Sequence, residues 1–287
     1  MRIVVLSGKG GTGKSCVVSS LAVELSKRRK LVLVDADADC PNQHIIFPGR
    51  DVRKERIYAS KIAVVDRKKC KLCGECLKAC QFGALAAGER IEVDELRCEG
   101  CGACVLACPN GAARLAPKLS GEMVVRETES FPLVYGRLLP GESGSGRIVH
   151  EARRLGDEIA EERGAELVLV DAPAGIGCPV IAAVAGCEYA VGVLEPTPAG
   201  AANLERALQV VRHFRIGYCV VMNKEGISKR NERKALRKFG RKLVARIPYD
   251  EEVPRLLADG VPPVLGEGKA AYAFRKMVAE IERIVWR

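Results

Sequence analysis

Aromatic residues are scarce in this chain: one tryptophan, six tyrosines and six phenylalanines in 287 residues. Valine, isoleucine, leucine and alanine are plentiful instead, a balance that suits a parallel sheet covered by helices. Long apolar runs are also missing. The most apolar stretch, Pro179 to Leu194, is broken by Gly186, Glu188 and Gly192, which excludes a bilayer-spanning segment there. No signal peptide is expected, since Met1 runs straight into the predicted strand "RIVVLS". The expectation is a soluble cytoplasmic protein with one large domain and one small one. Acidic residues are outnumbered, 36 against 46 basic, for a formal charge of +10. That excess suits an acidic partner, nucleotide, nucleic acid or anionic membrane and by itself selects none of them.

Cysteine is the exception to this economy. There are thirteen, and in an intracellular chain that number points to metal rather than disulfides. Eight lie in two clustered runs, while Cys16, Cys40, Cys178, Cys187 and Cys219 are scattered.

Residues 1 to 46 read as strand, glycine loop, helix, strand, the second strand ending in "LVLVDAD". From Ala165 strands and helices alternate again. Strands are predicted at 166–171, 188–194, 216–222 and 242–247, and helices at 198–214, 228–239 and 270–285. This rhythm predicts an α/β fold with a doubly wound, mostly parallel sheet. The middle departs from it. "VVDRKKCKLCGECLKACQFGAL" and "EVDELRCEGCGACVLACPNGAA" are two halves of an internal repeat. A hairpin at "EMVVRETESFPLVYGRLL", the linker "PGESGSG" and a helix at about 147–163 then lead back to the main domain. The predicted division is a discontinuous domain, 1–59 and 118–287, carrying an insertion at 60–117.

"GKGGTGKS", Gly8 to Ser15, fits G-x-x-x-x-G-K-S between a strand and a helix. Gly8, Gly10, Gly11 and Gly13 permit a tight loop whose backbone N–H groups surround phosphate oxygens. Lys14 is expected at the β/γ-phosphates and the Ser15 hydroxyl on Mg²⁺. Nucleotide contacts are expected from Gly8 through Lys9, Thr12 and Lys14 to Cys16.

The second lysine, Lys9, makes the loop resemble that of the deviant Walker A ATPases, which include MinD, ParA, the Mrp-type cluster carriers and the nitrogenase iron protein. Their pattern, K-G-G-x-G-K-[ST], is matched by Lys9 to Ser15. The resemblance implies an ATP-sandwiched dimer, of two copies or with a paralogue, in which Lys9 reaches the partner's nucleotide and neutralises transition-state charge. It further implies that Asp37 orients the attacking water and that Asp35 and Asp171 help hold Mg²⁺. Asn223 in "VVMNK" would read adenine, and Pro248 in "RIPYD" would belong to the base-packing loop.

Each repeat half carries C-x2-C-x2-C-x3-C: Cys70, Cys73, Cys76, Cys80, then Cys98, Cys101, Cys104, Cys108. Three thiolates from one tight loop can hold three corners of a cube, and the fourth cysteine is expected to begin a helix crossing to the other half. The spacing resembles bacterial ferredoxins with two [4Fe–4S] clusters. By that resemblance one cluster takes Cys70, Cys73, Cys76 and Cys108, and the other Cys80, Cys98, Cys101 and Cys104. Gln81 stands where the first proline of that pattern would be. Cys178, seven residues past Asp171, matches the offset of the nitrogenase iron protein's cluster ligand, although a buried thiol is the more ordinary role.

The resulting expectation is a MgATP-dependent electron carrier acting on a redox partner. The alternatives are a carrier delivering clusters to apo-proteins and a redox-sensing ATPase akin to MinD. The last helix, with Phe274, Met277, Val278, Ile281, Ile284 and Val285 on one face, is expected to pack on the sheet rather than lie on a membrane. The eight basic residues within 229–242 read as a solvated face, and nucleic acid is not the expected partner.

Overall fold

The structure is a computed structural model describing residues 1–142 and 145–286; part of the predicted linker and the final arginine lie outside the described residues. The strands are β1 (Arg2–Ser7), β2 (Leu31–Asp35), β3 (Gly49–Ile57), β4 (Ser60–Val65), β5 (Leu85–Ala87), β6 (Ile91–Val93) and β7 (Ala113–Lys118). They continue with β8 (Gly121–Thr128), β9 (Pro132–Leu138), β10 (Leu167–Asp171), β11 (Tyr189–Leu194), β12 (Gly217–Glu225) and β13 (Leu243–Pro248).

Nine strands form one sheet in the order β13-β12-β11-β1-β10-β2-β9-β8-β3. From β13 to β9 every neighbouring pair is parallel. Strands β1, β2, β10 and β11 are buried almost throughout, because helices cover both faces and a continuous run of Val, Leu and Ile then has no polar side to present. Strand β1 lies between β10 and β11 while the chain passes from β1 directly to β2. The strand order therefore reverses beside β1, and the crevice at its carboxyl end is where such sheets receive ligands. At the far edge β3, "GRDVRKERI", alternates exposed with half-buried residues and carries charges that discourage a further strand from pairing.

The terminal helix, Lys269–Val285, buries Phe274, Met277 and Ile281 completely in the main core. Each such side chain contributes about 1.5–3 kcal/mol. This apolar face is covered by protein, as the packing expectation had it. No helix among the described residues is long and apolar enough to cross a membrane.

The chain divides into two compact units. The smaller comprises Arg56–Glu122 and, of the described residues, Leu138 to Glu142, a wider span than the insertion read from sequence. It holds two antiparallel ladders: β4–β7, which joins the two ends of the duplicated segment, and β5–β6, at the junction between its halves. Its own small core contains Ala63, Cys76, Leu85, Ile91 and Cys104. Where its chain enters and leaves, the Ser120 hydroxyl accepts from the backbone N–H groups of Ala59 (3.1 Å) and Ser60 (3.2 Å). Glu142 accepts there from Ser60 Oγ at 2.8 Å and pairs with Lys118 at 2.6 Å.

The helices Glu75–Ala79 and Ala103–Leu106 begin at Gly74 and Gly102, both in the left-handed region at φ 81° and 83°. Here the sequence expectation is corrected. The third cysteine of each run lies on the helix, and the fourth follows the helix end rather than starting one. A left-handed glycine right after the second cysteine starts the turn early, and one turn uses up the x2–x3 spacing.

Candidate functional site

The loop after β1 opens into the helix Lys14–Ser26 through Gly13, at φ 86°. A Cβ on Gly8 would overlap the backbone of Asn203 and Leu204, so only glycine lets the loop lie against the helix Pro198–His213. A Cβ on Gly13 would overlap Asn223 Nδ2, which donates to Thr12 O at 2.9 Å. Gly13→Ala is therefore expected to cost at least about 1–2 kcal/mol for the left-handed backbone alone. It should also displace Asn223 and weaken nucleotide binding, read by denaturant unfolding and by titration with a fluorescent ATP analogue.

The loop, Asp37, Asn42, Asn223, Lys224, Tyr249, Pro254 and Leu257 border a cavity of about 500 Å³. Cys16 lines it too, its thiol pushed by burial up to about 11 and so kept neutral. Asn223 reaches the cavity as a loop tie. Pro248, expected in the base-packing loop, is not in its lining: it ends β13, and the next residue, Tyr249, borders the cavity.

Asp35 and Asp171 end adjacent strands in direct register, and both are fully buried. Burial, then the neighbouring Asp171, raises Asp35 well above the usual carboxylate range. Asp35 accepts from the backbone N–H groups of Asn42 (2.9 Å), Gln43 (3.0 Å) and Asp37 (3.2 Å). Its carboxylate thus shapes the turn carrying Asp37, which lines the cavity, and Asp35 does not line it. Burial also raises Asp37. Lys14 forms a buried ion pair with Asp171. Burial alone would lower the Lys14 pKa, but Asp171, Asp35 and Asp37 together more than reverse this and keep it charged.

Asp171 also accepts from Gln43 Nε2 at 2.7 Å and Ser15 Oγ at 3.4 Å, while Asn42 Nδ2 donates to Ser15 Oγ at 3.0 Å. Neither Asn42 nor Gln43 is marked by any motif. Thr12 Oγ1, Asn42 Oδ1 and Gln43 Oε1 are buried without a hydrogen-bond partner. Such atoms beside a phosphate loop suit a bound nucleotide with Mg²⁺ and its waters. Lys9 does not project freely. It pairs with Glu195, which also binds Lys224 at 2.9 Å, and Lys224 donates to Gly11 O at 2.7 Å. Burial would raise Glu195, but the two lysines hold it below its ordinary range.

In the smaller unit, Cys70, Cys73, Cys76 and Cys108 line one small cavity; Cys80, Cys98, Cys101 and Cys104 line another. The hydrogen bonds explain this crossing. Asp66 N donates to Ala112 O at 2.8 Å, and Ala112 N donates to Cys108 Sγ at 3.2 Å. Asp94 N donates likewise to Ala84 O at 2.8 Å, and Ala84 N to Cys80 Sγ at 3.4 Å. The loop opening each repeat is thus tied to the turn after the other's fourth cysteine. Ala63 N adds a bond to Cys98 Sγ at 3.4 Å. The N–H groups of Ala113 and Ala112 lead in holding the Cys108 thiol below its ordinary range, whereas burial raises Cys76 and Cys104. All thirteen cysteines are free. Among the described residues, no three His, Cys, Asp or Glu side chains close around a single metal ion. Cys178 is exposed and starts the helix Cys178–Val184; Cys40 is exposed, and Cys187 and Cys219 are buried.

A phosphate loop at a strand-order reversal, with a buried Lys14–Asp171 pair beneath it, defines a P-loop ATPase of the MinD/ParA type. The chain belongs to the CobQ/CobB/MinD/ParA nucleotide binding domain family, whose profile matches residues 3–264. It is 33% identical over 286 residues to the Methanocaldococcus jannaschii protein MJ0578, covering 99% of this chain and 98% of that one. It is 23% identical over 297 residues to an iron-sulfur cluster carrier protein of the same organism, covering 98% and 83%. Among solved structures, the septum site-determining protein MinD of Pyrococcus horikoshii, complexed with Mg-ADP, shares the fold. Its TM-score is 0.61 at 21% identity, over 99% of this chain and 96% of that one.

Proposed function

We propose that this ATPase carries two [4Fe–4S] clusters in an inserted unit of the ferredoxin type, and that its nucleotide state gates electron transfer to a protein partner. One observation carries the reading: two separate cavities, each lined by four thiols drawn from both repeats. The donor set fits the group, because backbone N–H groups donate to the sulfurs of Cys80, Cys98 and Cys108, the kind of hydrogen bond that tunes cluster-ligating sulfurs. Four thiolates on one zinc ion, each about 2.3 Å from it, would have to crowd together, whereas a cube spreads its ligands. Cys70, Cys73, Cys76 and Cys108 would hold one cluster and Cys80, Cys98, Cys101 and Cys104 the other. When bound, the clusters supply one-electron chemistry.

The chain's own residues do the rest. Lys14 and the loop N–H groups hold the phosphates, Ser15 and Asp171 the Mg²⁺, and Asp37 the attacking water. Lys9 exchanges Glu195 for the nucleotide of a second subunit, a copy of this chain or a paralogue. Residues 60–117 lie in sequence between Asp37 and Asp171, the positions that sense loss of the terminal phosphate.

The test is anaerobic purification, iron and sulfide quantitation, EPR of the reduced protein, and sedimentation with MgATP or MgADP. The expected outcome is two reduced-cluster signals and a dimer formed with MgATP that Lys9→Ala abolishes. Electron transfer to a protein acceptor should then need MgATP; equal rates with MgADP would overturn gating. The iron-sulfur cluster carrier relative favours a second reading, in which the clusters themselves are delivered. Iron appearing in an added apo-ferredoxin, at the expense of this protein's own, would select it.

A further inference from the structure

The two repeats build the same turn. Asp66 Oδ1 accepts from Lys68 N at 2.9 Å, and Cys70 N donates to Asp66 O at 3.0 Å. Asp94 Oδ1 accepts from Leu96 N at 2.9 Å, and Cys98 N donates to Asp94 O at 3.0 Å. Their charges are opposite. The first turn carries Arg67, Lys68, Lys69 and Lys71 against Asp66 alone, the four basic side chains exposed and without an ion pair among the described residues. The second carries Asp94, Glu95 and Glu99 against Arg97 alone.

A second difference lies at the residue before the second cysteine. Gly100 occupies it in one repeat, at φ 61°, and Leu72 in the other, at φ 54°. Glycine takes this left-handed conformation freely and leucine does not. Leu72 is half exposed, and it also lines the cavity of Cys70, Cys73, Cys76 and Cys108. Beside it is a depression of about 940 Å³ lined by Val65, Ile91 and Val93, by Arg67, Cys70 and Leu72, and by Glu89, Arg90 and Glu92, the last two paired at 3.4 Å. A half-exposed leucine in the left-handed region, beside four exposed basic side chains and a hollow of mixed lining with Val65, Ile91 and Val93 on its walls, points to a contact surface.

We infer that the Asp66–Cys73 loop and this hollow form the docking face for a protein partner with an acidic surface and an apolar protrusion. That partner meets the end bearing Cys70 and Cys73, not the end bearing Cys98 and Cys101. The inference rests on the proposed cluster-bearing function, which gives a partner reason to approach these thiols. Nucleic acid fits less well. No aromatic side chain lines the hollow for bases to stack on.

The test uses anaerobically purified full-length protein with iron counted, and flavodoxin as the probe, an acidic electron-carrier protein. Binding is measured by isothermal titration at low and at moderate salt, on the order of one Debye length apart in screening. Reversing Arg67, Lys68, Lys69 and Lys71 to Glu is expected to weaken low-salt binding about tenfold or more, as added salt does. Glu95→Lys with Glu99→Lys should not weaken it. Leu72→Gly is expected to weaken binding while holding or raising the unfolding midpoint, which a merely structural leucine would not do. No binding at low salt, an affinity unmoved by the fourfold reversal, or oligothymidylate binding with the same residue dependence overturns the docking face. Iron-free protein after anaerobic purification overturns the cluster reading instead, so the two failures are distinct.

Discussion

Lys14→Ala is expected to cut ATP turnover on the order of a thousandfold and, independently, to destabilise the nucleotide-free fold by about 3–5 kcal/mol. The two losses have different origins. Turnover falls because the ammonium group can no longer stabilise charge on the transferring phosphoryl group. Stability falls because Asp171 is left buried in the sheet without its cation, next to Asp35 on the adjacent strand. Gln43 and Ser15 would remain as its donors, too few to replace a full charge. A coupled-enzyme assay reads the first effect and denaturant unfolding the second. Lys14→Met combined with Asp171→Leu should recover most of the stability and none of the turnover, because an apolar pair of similar volume needs no compensation. A single Lys14→Ala variant as stable as the parent would show that the pair is not formed in solution.

The second large effect concerns iron. Cys108→Ala is expected to remove about half of the bound iron, and Cys80→Ala the other half. Each residue belongs to the repeat opposite the three thiols it joins. Selective loss is the discriminating result. In Cys108→Ala the EPR signal that survives should be the one Cys101→Ala abolishes, and in Cys80→Ala the one Cys73→Ala abolishes. Sites that followed the sequence repeats would give the reverse pairing. The turn bonds from Asp66 to Ala112 and from Asp94 to Ala84 favour the crossed result, because they bring each fourth cysteine under the other repeat's loop.

What the sequence disclosed follows from how local the responsible forces are. Strands β1, β2, β10 and β11 are unbroken apolar runs, and burial on both faces makes them legible without a partner in view. Strand β3 was not legible: "GRDVRKERI" is mostly charged and polar, no strand is expected there, and its place at a sheet edge is what makes it one. The phosphate loop was legible because its shape is set by glycines within eight residues. Gln43 and Glu195 were not, since their roles depend on Asp171 and Lys9, which lie far away along the chain. The partition of thiols is implied by the resemblance to two-cluster ferredoxins rather than by the spacing alone, and the helix start differs from expectation because a left-handed glycine sets its phase.

The β4–β7 ladder sets Ser60 opposite Lys118, so the chain departs for the cysteine-bearing segment and comes back at neighbouring points. Joining those points would require only a tight turn, and closing a short loop costs the remaining chain little. A gene could therefore gain or lose this segment in one step without redesigning its host.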